Sequence, residues 1–308
     1  MDYYFMKHIK QQKTGFTLIE LLVVMSIIAL LLSILMPALG RAKAEAMITK
    51  DQSQLKSLYG GFSFWAPSHN SKWPIPGLQQ RLEDPTMMQN VKGRGPEDMT
   101  VNDHASMLSM CIMENLFTPD AVIAPTEQSP YVAIITDYQY DDYSVSDWVF
   151  WDKELQNDLD NICNNSYGIM PVTGKRKDQN WGVSSNNPTG FGVIGNRGPE
   201  NGDYDMESNA YSNSYLLHGN DKDWKGCVAF GDGHLEVLDT MYPMSSTYLD
   251  TAGASKPDNI FNEEDEQEAN ASYGNGLGQG ADIVLTHVKY DDVNNEGKAG
   301  GCDEFLYD

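Results

Sequence analysis

The longest apolar segment of the chain lies close to its N-terminus. Residues 16–39 contain no lysine or arginine and a single acid, Glu20. About 20 helical residues are enough to cross the hydrocarbon core of a bilayer, so this segment predicts one transmembrane helix. Lys7, Lys10 and Lys13 precede it. Because basic residues before a spanning helix favour a cytoplasmic location for that end, we expect residues 1–15 to face the cytoplasm.

Helical periodicity continues beyond the apolar segment. Apolar residues recur at spacings near 3.6 as far as Tyr59, and Gly60-Gly61 then provides a helix stop signal. The pattern predicts one helix over residues 16–59, roughly 66 Å long at 1.5 Å per residue. Pro37 lies inside it and lacks an amide donor, so we expect a kink or a local opening of the helix there.

An ordinary secretory signal is an alternative interpretation of the same segment. Such a signal ends in a cleavage site of small residues, and Ala42-Lys43-Ala44 has that composition. The apolar segment is longer than most signal peptides have, and the helical pattern continues past the site. Both observations favour a retained helix.

After the long helix, the pattern becomes that of a globular domain over residues 62–308. Apolar residues at helical spacing predict a helix over residues 102–116. Two segments rich in β-branched and aromatic residues, 131–136 and 148–151, predict short strands.

The clearest β signal is a hairpin over residues 226–238. Two apolar runs flank Gly231-Asp232-Gly233, a composition that tight turns favour because glycine tolerates positive φ. Residues 283–290 predict a last strand, and the polar, acidic residues 251–281 predict a surface loop. The expected fold class is therefore α+β, with a long N-terminal helix followed by a globular domain that contains an antiparallel β-sheet.

Charge and cysteine content exclude some classes of function. The chain has 21 Lys+Arg and 44 Asp+Glu, a formal net charge of −23. This balance disfavours binding to nucleic acid and, outside the first residues, to anionic lipid. It favours divalent cations as ligands instead. The four cysteines show no CxxC spacing, which argues against a zinc ribbon or a thioredoxin-like motif. Their three complete pairings stay open, although Cys227 has the pattern of a buried strand residue.

The segment Gly15-Phe16-Thr17-Leu18-Ile19-Glu20, with its basic leader and following apolar run, resembles the class III signal of type IV pilins and type II secretion pseudopilins. The resemblance implies a pilin-like fold and cleavage by a prepilin peptidase between Gly15 and Phe16. It also implies methylation of the new amino group on Phe16. Pro37 lies where this family commonly has a helix-breaking proline.

The same resemblance implies a location and partners. The protein would enter the inner membrane as a single-pass protein with a cytoplasmic N-terminus and a periplasmic globular domain, and would then reach a fibre or the cell surface. Its partners would be the prepilin peptidase, other pilin or pseudopilin subunits, the inner-membrane assembly platform and the lipid bilayer. No nucleic-acid partner is expected.

An acid inside the apolar segment requires an explanation. An unpaired carboxylate in hydrocarbon is unfavourable, so Glu20 should find a cation or become neutral. Cleavage would create a cation at Phe16, and in a helical filament the amine of one subunit would approach Glu20 of a neighbour. On this interpretation Phe16, Glu20 and Pro37 are assembly residues. The alternative is that Glu20 reaches the cytoplasmic interface from its position five residues past the leader.

The globular part has a second resemblance. Ser166-Tyr167-Gly168, Ser214-Tyr215, His218 and residues 228–234 are similar to pilin-related proteins with a His-x9-Asp-Gly signature. Here 13 residues separate His218 from Asp232 instead of nine, which indicates an insertion at residues 220–225.

Three groups of residues are candidates for chemistry or binding. His218, Asp232 and His234 are a candidate metal cluster, and a zinc enzyme would use them. The alternative is a turn aspartate with two surface or strand histidines. No fingerprint of a hydrolase, a P-loop or a dinucleotide site is present, so we expect no enzyme.

The second and third groups concern calcium and sugars. Asp203, Asp205, Glu207 and Asn209 place oxygen ligands at alternate positions, as calcium loops do, although the glycine and final glutamate of an EF-hand are missing. Calcium is thus the one cofactor suggested, with residues 291–294 as a weaker acidic candidate. A further set of aromatic residues predicts either a sugar-stacking platform or ordinary core and rim packing. Its members are Tyr138, Tyr140, Tyr143, Trp148 and Trp151.

Two functions follow from these observations. The first is a structural subunit, processed by the prepilin peptidase and assembled through its helix into a type IV pilus-like or type II secretion pseudopilus fibre. The alternative is a membrane anchor that displays a carbohydrate- or calcium-binding domain at the cell surface.

Overall fold

The computed structural model describes most of the chain after the leader. The described residues are 16–174, 176–183, 190–203, 212–219, 223–249, 254–262, 283–289 and 304–306. They form two compact units, residues 1–46 and 47–308. The fold is α+β, as expected, with one long apolar helix and a domain that contains an antiparallel sheet.

Helix α1 (Leu18–Trp65) is longer than the sequence predicted. The predicted end at Tyr59 is wrong, because the helix continues through Gly60 and Gly61 for another turn and a half. Glycine lowers helix stability but does not prevent helix formation where packing supplies the rest. The packing is present, since the second half of α1 buries Leu55, Leu58, Phe62 and Trp65 in the globular core.

Three shorter α-helices follow among the described residues. They are α2 (Pro76–Gln79), α3 (His104–Met113) and α4 (Tyr215–His218). The helix predicted at residues 102–116 is confirmed as α3. It is shorter than predicted, because residues 102–103 and 114–116 are not helical. Its start is set by Asp103, whose carboxylate accepts a hydrogen bond from the Ser106 backbone N–H at 2.6 Å. Short 3-10 turns lie at Ala66–Ser68, Met99–Val101, Pro119–Val122, Tyr140–Asp142, Val145–Asp147 and Glu200–Gly202, and a π turn at Arg176–Asn180.

A four-stranded antiparallel sheet forms the centre of the globular unit. Its strands are β1 (Tyr167–Ile169), β2 (Gly192–Asn196), β3 (Gly226–Phe230) and β4 (Leu235–Leu238), paired in that order. The predicted hairpin is confirmed as β3 and β4, with Gly233 at a φ of 87° in the turn. Every residue of β1, β2 and β3 is buried, so these three strands lie inside the core, while β4 is only partly buried.

Two small two-stranded antiparallel sheets complete the described strands. They are β5 (Thr247–Leu249) with β6 (Ser255–Pro257), and β7 (His287–Lys289) with β8 (Glu304–Leu306). The predicted last strand at residues 283–290 is reduced to β7. The predicted acidic loop at residues 251–281 contains β6, and its residues 263–281 lie outside the described part of the chain.

The strands predicted at residues 131–136 and 148–151 are wrong. Val132 and Cys163 form an isolated parallel bridge, and Ser144 and Val149 form another that is antiparallel. Trp148 has a φ of 61°, which is incompatible with a regular strand. Of the residues that suggested strands, Val132, Phe150 and Trp151 are buried, whereas Tyr131 and Ile134 are about half exposed. β-propensity reports mainly on side-chain packing, and here it does not specify a strand.

The two glycines of α1 offer a matched test of this packing. A Cβ added at Gly60 would meet no atom within 4 Å, whereas one at Gly61 would lie 2.9 Å from Phe117 Cδ1 and 3.3 Å from Leu116 Cβ. Gly60→Ala should therefore raise the free energy of unfolding by about 0.5–1 kcal/mol through helix propensity. Gly61→Ala should be less stable than Gly60→Ala by about 1–3 kcal/mol, because its methyl group overpacks the core.

Chemical denaturation of the two variants beside the unsubstituted protein checks this prediction. Equal stabilisation by both alanines would mean that the Phe117 side chain moves away from the added methyl group without lowering the free energy of unfolding. Destabilisation by Gly60→Ala would contradict the continuous helix itself.

Candidate functional site

The start of α1 is built as a capping box. Leu18 is the first helical residue, so Thr17 stands at the N-cap and Glu20 at the third helical position. The Glu20 carboxylate accepts hydrogen bonds from the Thr17 backbone N–H at 2.9 Å and from its hydroxyl at 2.8 Å. In return, the Glu20 N–H donates to Thr17 Oγ1 at 3.3 Å. This reciprocal arrangement satisfies backbone donors that a helix start leaves without partners.

The capping box gives Glu20 a role that the sequence analysis missed. The signal was available, since Thr17 followed three residues later by a glutamate before an apolar run is its sequence signature. The two earlier interpretations, an assembly contact and a reach to the interface, stay predictions. A single carboxylate has enough acceptor sites to hold the cap and a cation together.

The described part of the first unit, residues 16–46, exposes apolar side chains on all sides of α1. Phe16 is 79% exposed, and Leu18, Ile34 and Leu39 are similarly open. A helix that is apolar around its whole circumference is normally covered by lipid or by other helices. It is also the one helix, among the described residues, that is long and apolar enough to cross a membrane. Pro37 lies within it, and Gly15 lies outside the described residues.

A second group of polar residues lies buried in the globular unit. Asp51 of α1 is fully buried, and its Oδ2 lies 2.6 Å from His218 Nε2 of α4. The Tyr167 hydroxyl of β1 donates to Asp51 Oδ1 at 2.5 Å. Cys227 of β3 is also fully buried, and its Sγ contacts the Ile48 carbonyl oxygen at 4.0 Å. We call Asp51, Tyr167, His218 and Cys227 the buried cluster.

Burial and the neighbouring acid keep two members of the buried cluster protonated. Removal from water raises the pKa of the Tyr167 phenol well above its usual range, and the Asp51 carboxylate raises it further. Burial, with a smaller contribution from Asp51, raises the pKa of the Cys227 thiol to about 12. In the absence of a cation, both groups therefore remain neutral.

The candidate metal cluster of His218, Asp232 and His234 does not come together. His218 turns to Asp51, while Asp232 and His234 pair with each other at 2.5 Å in the β3–β4 turn. The latter two side chains are 32% and 41% exposed. The Asp232 carboxylate also accepts from the His234 backbone N–H, which is the local bonding that turns favour. The alternative interpretation, a turn aspartate, therefore agrees with the structure, and the partner of His218 is Asp51, 167 residues away in sequence.

The other candidate sites have different outcomes. Asp203 is exposed, and the remaining calcium candidates Asp205, Glu207 and Asn209 lie outside the described residues, as do residues 291–294. Of the aromatic set, Tyr138 and Trp151 are buried, so these two rings belong to the core. Tyr140, Tyr143 and Trp148 make edge contacts with neighbouring rings at its rim.

The described cysteines are free thiols. Cys111, Cys163 and Cys227 are all buried and form no disulfide with one another. The prediction that Cys227 is a buried strand residue is confirmed, since it is the second residue of β3. Cys302 lies outside the described residues.

Comparison with known protein families identifies the N-terminal motif. Residues 10–36 match the family model described as the prokaryotic N-terminal methylation motif. No curated protein and no solved structure matches the chain significantly. The match confirms the resemblance to type IV pilins and pseudopilins, and it marks the chain as a prepilin-like substrate of the prepilin peptidase. The match does not extend to the His-x9-Asp-Gly signature, which stays a resemblance.

Proposed function

We propose that this prepilin-like chain is a structural subunit, assembled through α1 into a type IV pilus-like or type II secretion pseudopilus fibre. The observation that carries the proposal is the methylation motif at residues 10–36, together with an apolar helix whose residues 18–39 are exposed in the described part of the chain. The motif marks structural pilin-type subunits. The globular unit would then decorate the outside of the fibre.

The physical basis is an exchange of surroundings for one set of side chains. In the membrane, the apolar side chains of residues 18–39 contact lipid. In a fibre they would contact the same residues of neighbouring helices, so packing and lost lipid contacts roughly balance. The subunit therefore needs no second apolar surface when it leaves the membrane and enters a fibre. Membrane anchoring and polymerisation use one helix in two environments.

The capping box fits a processing site just before the helix. α1 begins at Leu18 with Thr17 as its N-cap, so the bond between Gly15 and Phe16 lies two residues before the first helical residue. Proteases act on extended backbone, and a fixed helix start keeps that bond out of the helix. Phe16 is exposed, as a residue that must meet a peptidase and a methyl donor should be.

N-terminal sequencing and intact mass of the protein from its host's membrane and sheared surface fractions test the proposal. We expect a chain that begins at N-methylated Phe16 in both fractions. An uncut Met1 would leave a simple anchor, and a start near residue 45 would indicate an ordinary secreted domain. A processed chain that is confined to the membrane fraction would contradict fibre assembly while leaving processing intact.

A pair of leader variants tests the position of the cut. Gly15→Ala places a methyl group next to the proposed scissile bond and should slow processing more than Lys13→Ala, which only removes one leader charge. The ratio of precursor to mature chain after a short pulse of expression measures this. Equal ratios for the two variants would contradict the position of the cut after Gly15.

A further inference from the structure

The buried cluster has the chemistry of a metal site. Carboxylate, imidazole and thiolate are the usual protein ligands of zinc. In the described part of the chain, Asp51, His218 and Cys227 are the three metal-ligating groups that converge, with one donor atom of each within 4.8 Å of the others. They come from α1, α4 and β3, so the fold brings together residues that are distant in sequence.

The charge of Asp51 points in the same direction. Buried carboxylates are normally paired with a cation or bound to a metal. The two oxygens of Asp51 contact the Tyr167 hydroxyl and the His218 imidazole, and of these only a protonated imidazole would carry a positive charge. A divalent cation at this point would compensate the carboxylate directly.

The distances suit a zinc ion after a small adjustment. Two ligands bound to tetrahedral zinc at about 2.0–2.3 Å lie roughly 3.3–3.8 Å from each other. Asp51 Oδ2 and His218 Nε2 are 2.6 Å apart and would have to separate by about an ångström, while one ligand atom of each of the three residues lies within 4.8 Å of the other two.

The surroundings of the ligands also fit. Ligating carboxylates are usually held by a hydrogen bond to their second oxygen, and the Tyr167 hydroxyl donates such a bond to Asp51 Oδ1. The Cys227 thiol has only a weak 4.0 Å contact to a carbonyl, so its sulfur is available. Zinc would displace the thiol proton to solvent, as metal binding to cysteine generally does.

We propose that Asp51, His218 and Cys227 bind one zinc ion that fastens the second half of α1 to β3 and α4. Asp51 and Cys227 are buried and the His218 side chain is 2% exposed, so we assign the ion a structural role. The proposal does not depend on fibre assembly, because all three ligands lie in the globular unit.

The test measures zinc in the full-length protein, purified in detergent with a tag that contains no histidine and dialysed against metal-free buffer. We expect about one zinc per chain, as for a structural site with dedicated ligands. Cys227→Ser should lower this to roughly a tenth or less, since the loss of a ligand costs at least as much affinity as the loss of an outer partner. Cys111→Ser is the matched control, because it also replaces a fully buried thiol but lies in α3.

Cobalt provides a readout that needs no variant. The unsubstituted protein, loaded with Co²⁺, should show a thiolate-to-metal charge-transfer band, which Cys227→Ser loses and Cys111→Ser keeps. Absence of bound zinc and of that band in the unsubstituted protein would overturn the proposal. Zinc that persists unchanged in both Cys227→Ser and His218→Gln would place the metal elsewhere and would overturn it equally.

Discussion

Glu20→Ala should leave cleavage after Gly15 intact but reduce incorporation into fibres by more than about tenfold, because a methylated amine brought into an apolar helix bundle would have no carboxylate to neutralise it. The measurement compares the mature chain in the sheared surface fraction with that in the membrane. Incorporation at the level of the unsubstituted protein would contradict an assembly role for this acid.

Glu20→Gln separates the assembly role from the capping box. A glutamine at the third helical position can still accept from the Thr17 N–H, so it preserves the cap but carries no charge. If the charge matters, Glu20→Gln should fail to assemble like Glu20→Ala. If only the helix start matters, Glu20→Gln should assemble normally, while Thr17→Val, which removes the hydroxyl from the cap, should fail.

Thr17→Ser is the matched control for Thr17→Val. Serine keeps the hydroxyl that both donates to the Glu20 carboxylate and accepts from its N–H. A defect in Thr17→Val that Thr17→Ser does not share would therefore be a defect of the cap.

The features that could be predicted from sequence are those determined by local patterns. The apolar run of residues 16–39 predicts its helix, because a helix satisfies its backbone hydrogen bonds within one segment and so suits a bilayer. The two apolar runs and the turn glycines of residues 226–238 predict a hairpin for equally local reasons. Both predictions are confirmed.

The features that could not be predicted depend on contacts between distant residues. Gly60 and Gly61 have the composition of a helix end, but the burial of Phe62 and Trp65 continues the helix beyond them. Likewise, nothing in the neighbourhood of His218 indicates that its partner is Asp51 on α1. The candidate metal cluster with Asp232 and His234 does not form, whereas the alternative of a turn aspartate agrees with the local hydrogen bonds between Asp232 and His234.

Asp51→Ala should lower the free energy of unfolding of the globular unit by about 3–5 kcal/mol, one of the largest effects available from a single polar residue. The alanine would leave the Tyr167 hydroxyl and the His218 imidazole buried without their common partner, and each unpaired buried group costs about 1–3 kcal/mol. Asp141→Ala is the control, because that aspartate is exposed. Chemical denaturation followed by tryptophan fluorescence measures both variants.

The same variants relate this stability to the proposed zinc site. If zinc is bound, a strong chelator should lower the stability of the unsubstituted protein toward that of Asp51→Ala and should leave Asp51→Ala unchanged. If the buried cluster is held by hydrogen bonds alone, the chelator should affect neither protein, while Asp51→Ala should still be less stable by about 3–5 kcal/mol. An Asp51→Ala variant as stable as Asp141→Ala would contradict both accounts, because then neither a metal nor a hydrogen-bond network at Asp51 would fasten α1 to the sheet.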